Sequence, residues 1–216
     1  MNKVLATSLL AGAALLPMLQ ACVPLVAAGA TQATLSAVDR RSLGTQTEDE
    51  TIEWKAAVQI SEIGGKESHT NFTSYNRKVL ISGEVPSENI KTEVERRVAA
   101  LPQVRGVYNE LAVAPPTSFG TRSNDSYITT KVKARFVDAG KFNAVYVKVV
   151  TEDGVVYLLG LVTQREADAA IQIARTTSDV KKVVTLFEII PEARAKELDV
   201  QVEPSKPANP DSIDGG

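Results

Sequence analysis

The sequence has few of the residues from which most catalytic and metal centres are built. Its 216 residues include one cysteine, Cys22, and one histidine, His69, which lies in a polar segment predicted to be a loop; only 5% are aromatic. A single cysteine excludes an internal disulfide. If that cysteine is acylated, as the segment around it implies below, it cannot form a Cys–His dyad or a Cys–His metal site with the one histidine. No phosphate-binding loop or nucleophile elbow occurs in the sequence. The sequence predicts no enzymatic activity, cofactor or metal, with a carboxylate-based hydrolase as the remaining alternative.

A surplus of basic residues is also missing. The chain has 24 Lys and Arg against 26 Asp and Glu, which gives a formal net charge of −2. Proteins that bind nucleic acid normally carry a basic excess, so this class is excluded. Any attraction to an anionic surface must therefore come from a local cluster. The length suits two small domains with tails better than one large enzyme core.

Residues 1–21 have the pattern of a removable secretory signal. Lys3 supplies the positive start, the run Leu5–Leu16 is rich in Leu and Ala, and Pro17 breaks it. This run is too short for a helix that crosses a membrane comfortably. The segment Leu19-Gln20-Ala21-Cys22 resembles a bacterial lipobox, because it has an apolar first position and a small residue directly before the cysteine.

The lipobox resemblance implies that Cys22 carries a diacylglycerol group and a further acyl chain such as palmitate. One acyl chain binds a membrane reversibly, whereas two or more hold a protein stably, since each buried CH₂ adds about 0.8 kcal/mol. Val23 stands where an aspartate would signal inner-membrane retention, so the resemblance points to the outer membrane. The alternatives are an uncleaved signal anchor and a buried structural cysteine.

The remainder of the chain contains an internal repeat. The segment Val79–Val85 aligns with Val156–Val162 at an offset of 77 residues. Upstream, three apolar residues that recur every fourth position align at an offset of 76, namely Ile52, Ala56 and Ile60 with Ile128, Val132 and Phe136. Similarity at a nearly constant offset indicates a duplicated unit. The predicted organisation is a lipidated tether at 22–50, a first domain at 51–114, a linker at 115–123, a second domain at 124–190 and a disordered tail at 191–216.

Each copy is predicted to have the element order α-β-β-α-β and an α+β fold. The four-residue spacing places the apolar residues of the first helix on one face. Glu152-Asp153-Gly154 is typical of a hairpin turn, and Gly83 and Gly160 lie inside strands, which suggests a bulge or a close backbone approach. Two helices cover one face of a three-stranded sheet. The other face is then open or available for docking.

These features resemble the BON family, named for bacterial outer-membrane and nodulation proteins. The resemblance is carried by the pattern Val-x-Val-x-x-x-x-Gly-x-Val-Tyr-Leu-x-Gly-x-Val from Val147 to Val162, and more loosely by Asn71 to Val85. A lipobox followed by two such domains is similar to the dual-BON outer-membrane lipoproteins. The resemblance implies exposure to the periplasm, maintenance of the outer-membrane barrier, and binding of anionic phospholipid by the first helix of the second domain.

The residues of that helix support a membrane contact independently. Besides its core face, the helix has a second stripe that is less polar than a solvated face, and a basic cluster beside it. The predicted lipid-binding residues are Phe119, Tyr127, Thr130, Lys131, Lys133, Ala134, Arg135 and Val137. The alternative is a solvated basic face with Tyr127 packed against the neighbouring domain. The first-domain helix lacks the cluster, and its Trp54 is interpreted as a packing residue.

The sequence therefore predicts an outer-membrane lipoprotein that binds anionic phospholipid through its second domain and supports envelope integrity. The alternative is a non-enzymatic scaffold for an envelope protein, such as the outer-membrane assembly machinery. Such a scaffold would use the open sheet face or an exposed strand edge.

Overall fold

The structure, a computed structural model, describes residues 39–60, 63 and 65–202. The predicted signal peptide, the lipidated Cys22, the rest of the tether up to residue 38, and the tail from residue 203 lie outside the described residues. Within the described part, the predicted order α-β-β-α-β occurs twice, and the α+β fold class is confirmed. The last strand of the first copy is divided into two, so that its sheet has four strands instead of the predicted three.

The first domain begins with a long helix and contains a sheet whose central strand is β2. Its elements are α1 (Leu43–Ile60), a 3₁₀ turn (Gly65–Glu67), β1 (His69–Tyr75), β2 (Lys78–Val85), α2 (Glu88–Ala99), β3 (Gly106–Asn109) and β4 (Ala112–Val113). Strand β1 pairs with β2 antiparallel, and β3 and β4 pair with β2 in parallel. The parallel pairing requires a crossover, which α2 supplies.

The second domain repeats this arrangement around β6. Its elements are α3 (Phe119–Ala139), a 3₁₀ turn (Ala144–Tyr146), β5 (Val147–Glu152), β6 (Val155–Val162), α4 (Gln164–Arg175) and β7 (Lys182–Ile189), and a last helix, α5 (Glu192–Val202), follows. Strand β5 pairs with β6 antiparallel and β7 pairs with β6 in parallel.

The predicted core faces of the two first helices are confirmed. Ile52, Ala56 and Ile60 of α1 are buried against β2 and α2, and Ile128, Val132 and Phe136 of α3 are buried in the matching cluster of the second domain. Residues four apart lie on one face of a helix, so this spacing is sufficient to set which side of each helix packs on its sheet.

The two strand glycines permit a close backbone approach, as their position predicts. A Cβ at Gly83 would overlap the carbonyl oxygen of His69, and a Cβ at Gly160 would overlap that of Tyr146. The hairpin at Asp153–Gly154 is also confirmed, with φ angles of 43° and 72°. Two successive left-handed residues are the geometry of a tight turn between antiparallel strands.

Both first helices begin earlier than predicted, and each contains a buried aspartate that supports a turn of its sheet. Asp49 of α1 accepts hydrogen bonds from the backbone N–H groups of Asn76 and Arg77, in the turn between β1 and β2. Asp125 of α3 accepts from Asp153 and Gly154 in the equivalent turn. Because a buried backbone N–H requires a partner, each helix extends far enough to supply one.

The predicted tether, linker and tail are consequently too long. The tether prediction is wrong for residues 43–50, which are helical, and the linker prediction is wrong for residues 119–123, which form the first turn of α3. The disordered tail is wrong for residues 192–202, because α5 packs Ala195 into the protein with 2% of it exposed.

The second face of each sheet, predicted to be open or available for docking, is not open, because the two sheets pack on each other. Strand side chains alternate between faces, so each sheet turns one set toward its helices and the other toward the sister sheet. Apolar side chains from both domains form the shared cluster between the sheets: Tyr75, Leu80, Tyr157, Leu159 and Leu186. The helices of each domain therefore lie on the outer sides of the paired sheets.

Candidate membrane-contact surface

Helix α3 is well delimited by its sequence. The side chain of Ser118 accepts a hydrogen bond from the backbone N–H of Thr121 at the N-terminus. Gly140 ends the helix in the left-handed region, with φ of 56°. An N-cap serine and a C-terminal glycine are the usual ends of a helix, because each satisfies backbone groups that the helix leaves free.

The outer face of α3 carries an exposed apolar stripe. Phe119 is 79% exposed, Tyr127 59% and Val137 67%, and Thr130 and Ala134 between them are also exposed. Tyr127 does not pack against the first domain in the way that the alternative interpretation required. The structure thus brings all five uncharged residues of the predicted site to one solvent-facing side.

The three cations of the predicted site differ in their surroundings. Lys131 donates hydrogen bonds of 2.6 Å to Ser178 and to Asp179, and its ammonium lies 4.9 Å from the centre of the Tyr127 ring. The hydrogen bond from Lys131 lowers the pKa of the Asp179 carboxyl. Lys133 is exposed and forms no hydrogen bond or ion pair with any residue that the structure describes.

Arg135 has a structural contact that the sequence did not reveal. Its guanidinium donates hydrogen bonds to the carbonyl oxygen of Ile173 at 2.9 Å and to the hydroxyl oxygens of Thr176 and Thr177 at 3.0 and 2.7 Å. These acceptors lie at the C-terminal end of α4, where a cation satisfies free carbonyl groups. Arg135 thus holds two helices together, and it offers less of its charge to a ligand than Lys133.

The first domain presents an apolar stripe of its own. Leu43, Trp54 and Val58 of α1 are 66%, 66% and 53% exposed. The interpretation of Trp54 as a packing residue is wrong, because its position on α1 faces away from the sheet. Exposed apolar surface is therefore a property of both first helices, and charge distinguishes them.

Two adjacent arginines that sequence reasoning missed attach the start of the described chain to the two domains. The Arg40 guanidinium lies 3.8 Å from the centre of the Tyr146 ring and donates hydrogen bonds to Glu166, to Asp199 and to the carbonyl oxygen of Leu161. Burial acts to raise the pKa of Glu166, but hydrogen bonds from Arg40 and Thr163, together with the positive charge of Arg40, outweigh it and the pKa lies below its ordinary value.

Arg41 makes the equivalent contacts in the first domain. Its guanidinium lies 4.0 Å from the centre of the Tyr75 ring and forms ion pairs with Asp39 and Asp49. The only signal in the sequence was the unusual pair of arginines in a segment otherwise predicted to be a tether.

Comparison with known proteins agrees with this architecture. The family model of the BON domain matches residues 55–115 and 124–191. The chain is 42% identical over 174 residues to the outer membrane lipoprotein DolP of Haemophilus influenzae, covering 80% of this chain and 90% of that protein. It is 34% identical over 155 residues to the 21 kDa hemolysin of Actinobacillus pleuropneumoniae, covering 71% of this chain and 80% of the relative.

A solved structure is also similar, at a lower level. The C-terminal domain of CdsD, a structural protein of the type III secretion system of Chlamydia trachomatis, shares 14% identity at a TM-score of 0.28 and covers 61% of this chain and 96% of its own. A likeness of this size carries no argument about the present chain.

The chain belongs to the BON-domain family, and it contains two copies of the domain. Like its relative DolP, it is a lipoprotein of the outer membrane. In the part of the chain that the structure describes, no helix has both the length and the apolar character needed to cross a membrane.

Proposed function

We propose that the protein binds anionic phospholipid headgroups through α3 while acyl chains on Cys22 hold it at the periplasmic side of the outer membrane. In this way it supports the integrity of the envelope. The observation that carries the proposal is the exposed apolar stripe on α3, flanked by lysines on both sides.

The stripe has the character of a helix that lies in a membrane interface. Phe119, Tyr127 and Val137 are each more than half exposed, which leaves them free to enter the region between headgroups and acyl chains. Amphipathic helices of this kind bury their apolar face about 5–10 Å into that region. A soluble helix would normally carry polar residues at these positions.

The two lysines are placed to bind headgroups on either side of the stripe. At 3.6 residues per turn, Lys131 and Lys133 lie roughly 160° apart around the helix axis. The ion pair between Lys131 and Asp179 is no obstacle, because Asp179 is 57% exposed and a surface pair contributes only about 0–1 kcal/mol. A lipid phosphate can therefore replace Asp179 at little cost.

The lipid anchor makes a weak contact effective. Asp39, the first described residue, follows Cys22 by seventeen positions, and an extended chain of that length spans at most about 60 Å. Confinement within this distance raises the effective concentration of headgroups at α3. The domain then selects regions of the leaflet that are rich in anionic lipid.

Vesicle flotation tests the proposal. The protein would be a soluble form that begins at residue 23; it retains all the described residues, and the three apolar clusters lie wholly within 39–202. We expect flotation with vesicles that contain phosphatidylglycerol and none with pure phosphatidylcholine. Lys131→Glu with Lys133→Glu should weaken binding by about 2–4 kcal/mol, or on the order of 30- to 1,000-fold.

A matched control applies the same change of charge to the other domain. Lys55→Glu with Lys91→Glu alters the net charge equally but leaves α3 intact, so binding should change little. Equal loss in both double variants would show that net charge, rather than α3, attracts the vesicle, and would refute the proposed site.

Of the two surfaces predicted for the scaffold alternative, the open sheet face is lost because the two sheets cover each other, which leaves an exposed strand edge. If the soluble form floats with no vesicle of any composition, the lipid proposal fails. The exposed stripe of α1 is then the surface on which to seek a protein partner.

A further inference from the structure

Three side chains capable of binding a metal meet at the interface between the two sheets. His69 begins β1, Glu84 lies near the end of β2, and Glu152 ends β5 of the other domain. The Nδ1 atom of His69 lies 3.3 Å from an oxygen of Glu84 and 3.7 Å from an oxygen of Glu152. One ligand atom from each residue falls within 4.8 Å of the other two.

These groups are enclosed, and neither carboxylate forms an ion pair with a lysine or arginine of the described residues. The side chains of Glu84 and Glu152 are 5% and 9% exposed. The Nδ1 atom of His69 is buried and has no hydrogen-bond partner among the described residues, so its approach to Glu84 is not a hydrogen bond. Two buried carboxylates that face one nitrogen call for a cation between them, because buried charges are normally paired or coordinate a metal.

The surrounding residues hold both carboxylates in place. Asn71 and Ser82 donate hydrogen bonds to the same oxygen of Glu152 at 2.8 and 3.2 Å, and its other oxygen faces His69. The backbone N–H and the hydroxyl of Thr117 donate to Glu84 at 3.1 and 3.3 Å. Outer hydrogen bonds of this type orient the ligands of metal sites.

We propose that His69, Glu84 and Glu152 bind one Zn²⁺ ion that links the two domains. Zinc bonds of 2.0–2.2 Å in tetrahedral geometry place neighbouring ligand atoms roughly 3.3–3.6 Å apart. The observed separations of 3.3 and 3.7 Å from Nδ1 need little adjustment, and the two carboxylate oxygens, which lie within 4.8 Å of each other, must approach by at most about 1.5 Å. A water molecule takes the fourth position. Magnesium and calcium are less suited, because they require six or more oxygen ligands.

The metal has a route to the site. A cleft of about 430 Å³ is lined by His69 and Glu152 together with Asn71, Arg122 and Asp125. Because two ligands come from the first domain and one from the second, a bound ion fixes the domains to each other. It does not involve the outer face of α3, so metal binding and lipid binding are separate properties.

The test measures metal bound to the purified soluble form that begins at residue 23, which lacks the cysteine. After dialysis against buffer containing Zn²⁺, we expect elemental analysis to give one zinc per chain. Free zinc at one hundred times the dissociation constant should raise the melting temperature by roughly 5–10 °C. Magnesium or calcium at the same concentration should raise it far less.

Substitutions of the ligands assign the site. His69→Ala and Glu152→Gln should each lose the bound zinc and the rise in melting temperature. The control, Glu93→Gln, removes a carboxylate on α2 that forms exposed pairs with two arginines. This variant should still bind zinc and should show the same rise in melting temperature. Circular dichroism of the metal-free variants establishes that they are folded. The proposal is overturned if the unsubstituted protein takes up no stoichiometric zinc, or if His69→Ala binds it equally well.

Discussion

The first helices of the two domains, α1 and α3, occupy equivalent positions and make equivalent supporting contacts, but they differ in charge. Asp49 and Asp125 support the same turn, and Leu43 and Phe119, at equivalent positions, are both exposed. Helix α1 has four acidic residues and one basic residue, whereas α3 has four basic and two acidic. Exposed apolar surface alone therefore does not single out a membrane helix. In the proposed function the lysines beside it do, because they act on an anionic surface before the apolar residues reach it.

The attachment of the start of the described chain to the second domain depends on one residue, Arg40. Arg40→Ala should lower the free energy of unfolding by about 3–5 kcal/mol, because it leaves Glu166 buried without its partner. Arg194→Ala, which removes an exposed pair with Glu197, should change it by less than about 0.5 kcal/mol. Urea unfolding measures the free energy of unfolding of both variants. Equal losses in the two variants would contradict the stabilising role assigned to Arg40.

The effect of Arg40→Ala should also depend on pH. Hydrogen bonds from Arg40 hold the pKa values of Glu166 and Asp199 below their ordinary values. A carboxyl whose pKa is lowered by folding stabilises the protein above its unfolded pKa of about 4, and this contribution is lost as the pH falls through the folded value. The difference in the free energy of unfolding between the unsubstituted protein and Arg40→Ala should therefore shrink as the pH falls from about 5 to about 2. If this difference stayed constant over the same pH range, the contacts of Arg40 with Glu166 and Asp199 could not be its cause.

Removing the two turn-supporting aspartates compares the copies directly. Asp125→Ala leaves two backbone N–H groups without partners and should cost about 1–3 kcal/mol. Asp49→Ala should cost more, because Asp49 also pairs with Arg41 and accepts from Ser74. Thermal or urea unfolding gives the order, and the reverse order would show that the extra contacts of Asp49 contribute nothing.

Transfer of charge to α1 would sharpen the comparison. Ala57 and Gln59 occupy the positions equivalent to Lys133 and Arg135 and are exposed. In the Lys131→Glu, Lys133→Glu background, Ala57→Lys with Gln59→Lys should restore about 1–2 kcal/mol of binding to phosphatidylglycerol vesicles. Asn89→Lys with Thr92→Lys on α2, which adds the same charge at two exposed neutral positions, provides the control. If both pairs restore binding equally, the stripe of α1 has no part in it.

The smallest effect is expected at Trp54. Because its position is exposed and α1 is acidic, Trp54→Ser should leave both vesicle binding and stability unchanged, the latter within about 0.5 kcal/mol. Tyr127→Ser at the comparable place on α3 should weaken vesicle binding with an equally small effect on stability. A loss of vesicle binding in Trp54→Ser would show that the first domain also contacts lipid.

The local features of the fold could be predicted, but the ends of its segments could not. The spacing of Ile128, Val132 and Phe136 predicted a core face that the structure confirms, because periodicity depends only on neighbouring residues. The starts of α1 and α3 were missed although Ser42 and Ser118 are local N-cap signals. The hydrogen bonds of Asp49 and Asp125 with turns 27 to 29 residues away could not be predicted from neighbouring residues.

The metal-binding potential was missed for a similar reason. Sequence reasoning counted cysteines and histidines and found too few, and it placed His69 in a loop instead of at the start of β1. Glu84 and Glu152 come from different domains, so their proximity exists only after the sheets have packed.

By itself, the sequence determined the duplication, the order of the helices and strands, and the buried faces of the helices. It also determined the two glycine positions at which a neighbouring backbone segment approaches closely. All of these follow from periodicity and local sterics within one copy. Only the tertiary structure decided that the sheets cover each other, that Arg40 reaches residues 126 and 159 positions away, and that α3 keeps its stripe exposed. Contacts between distant segments depend on the packing of whole domains, which short-range patterns do not encode.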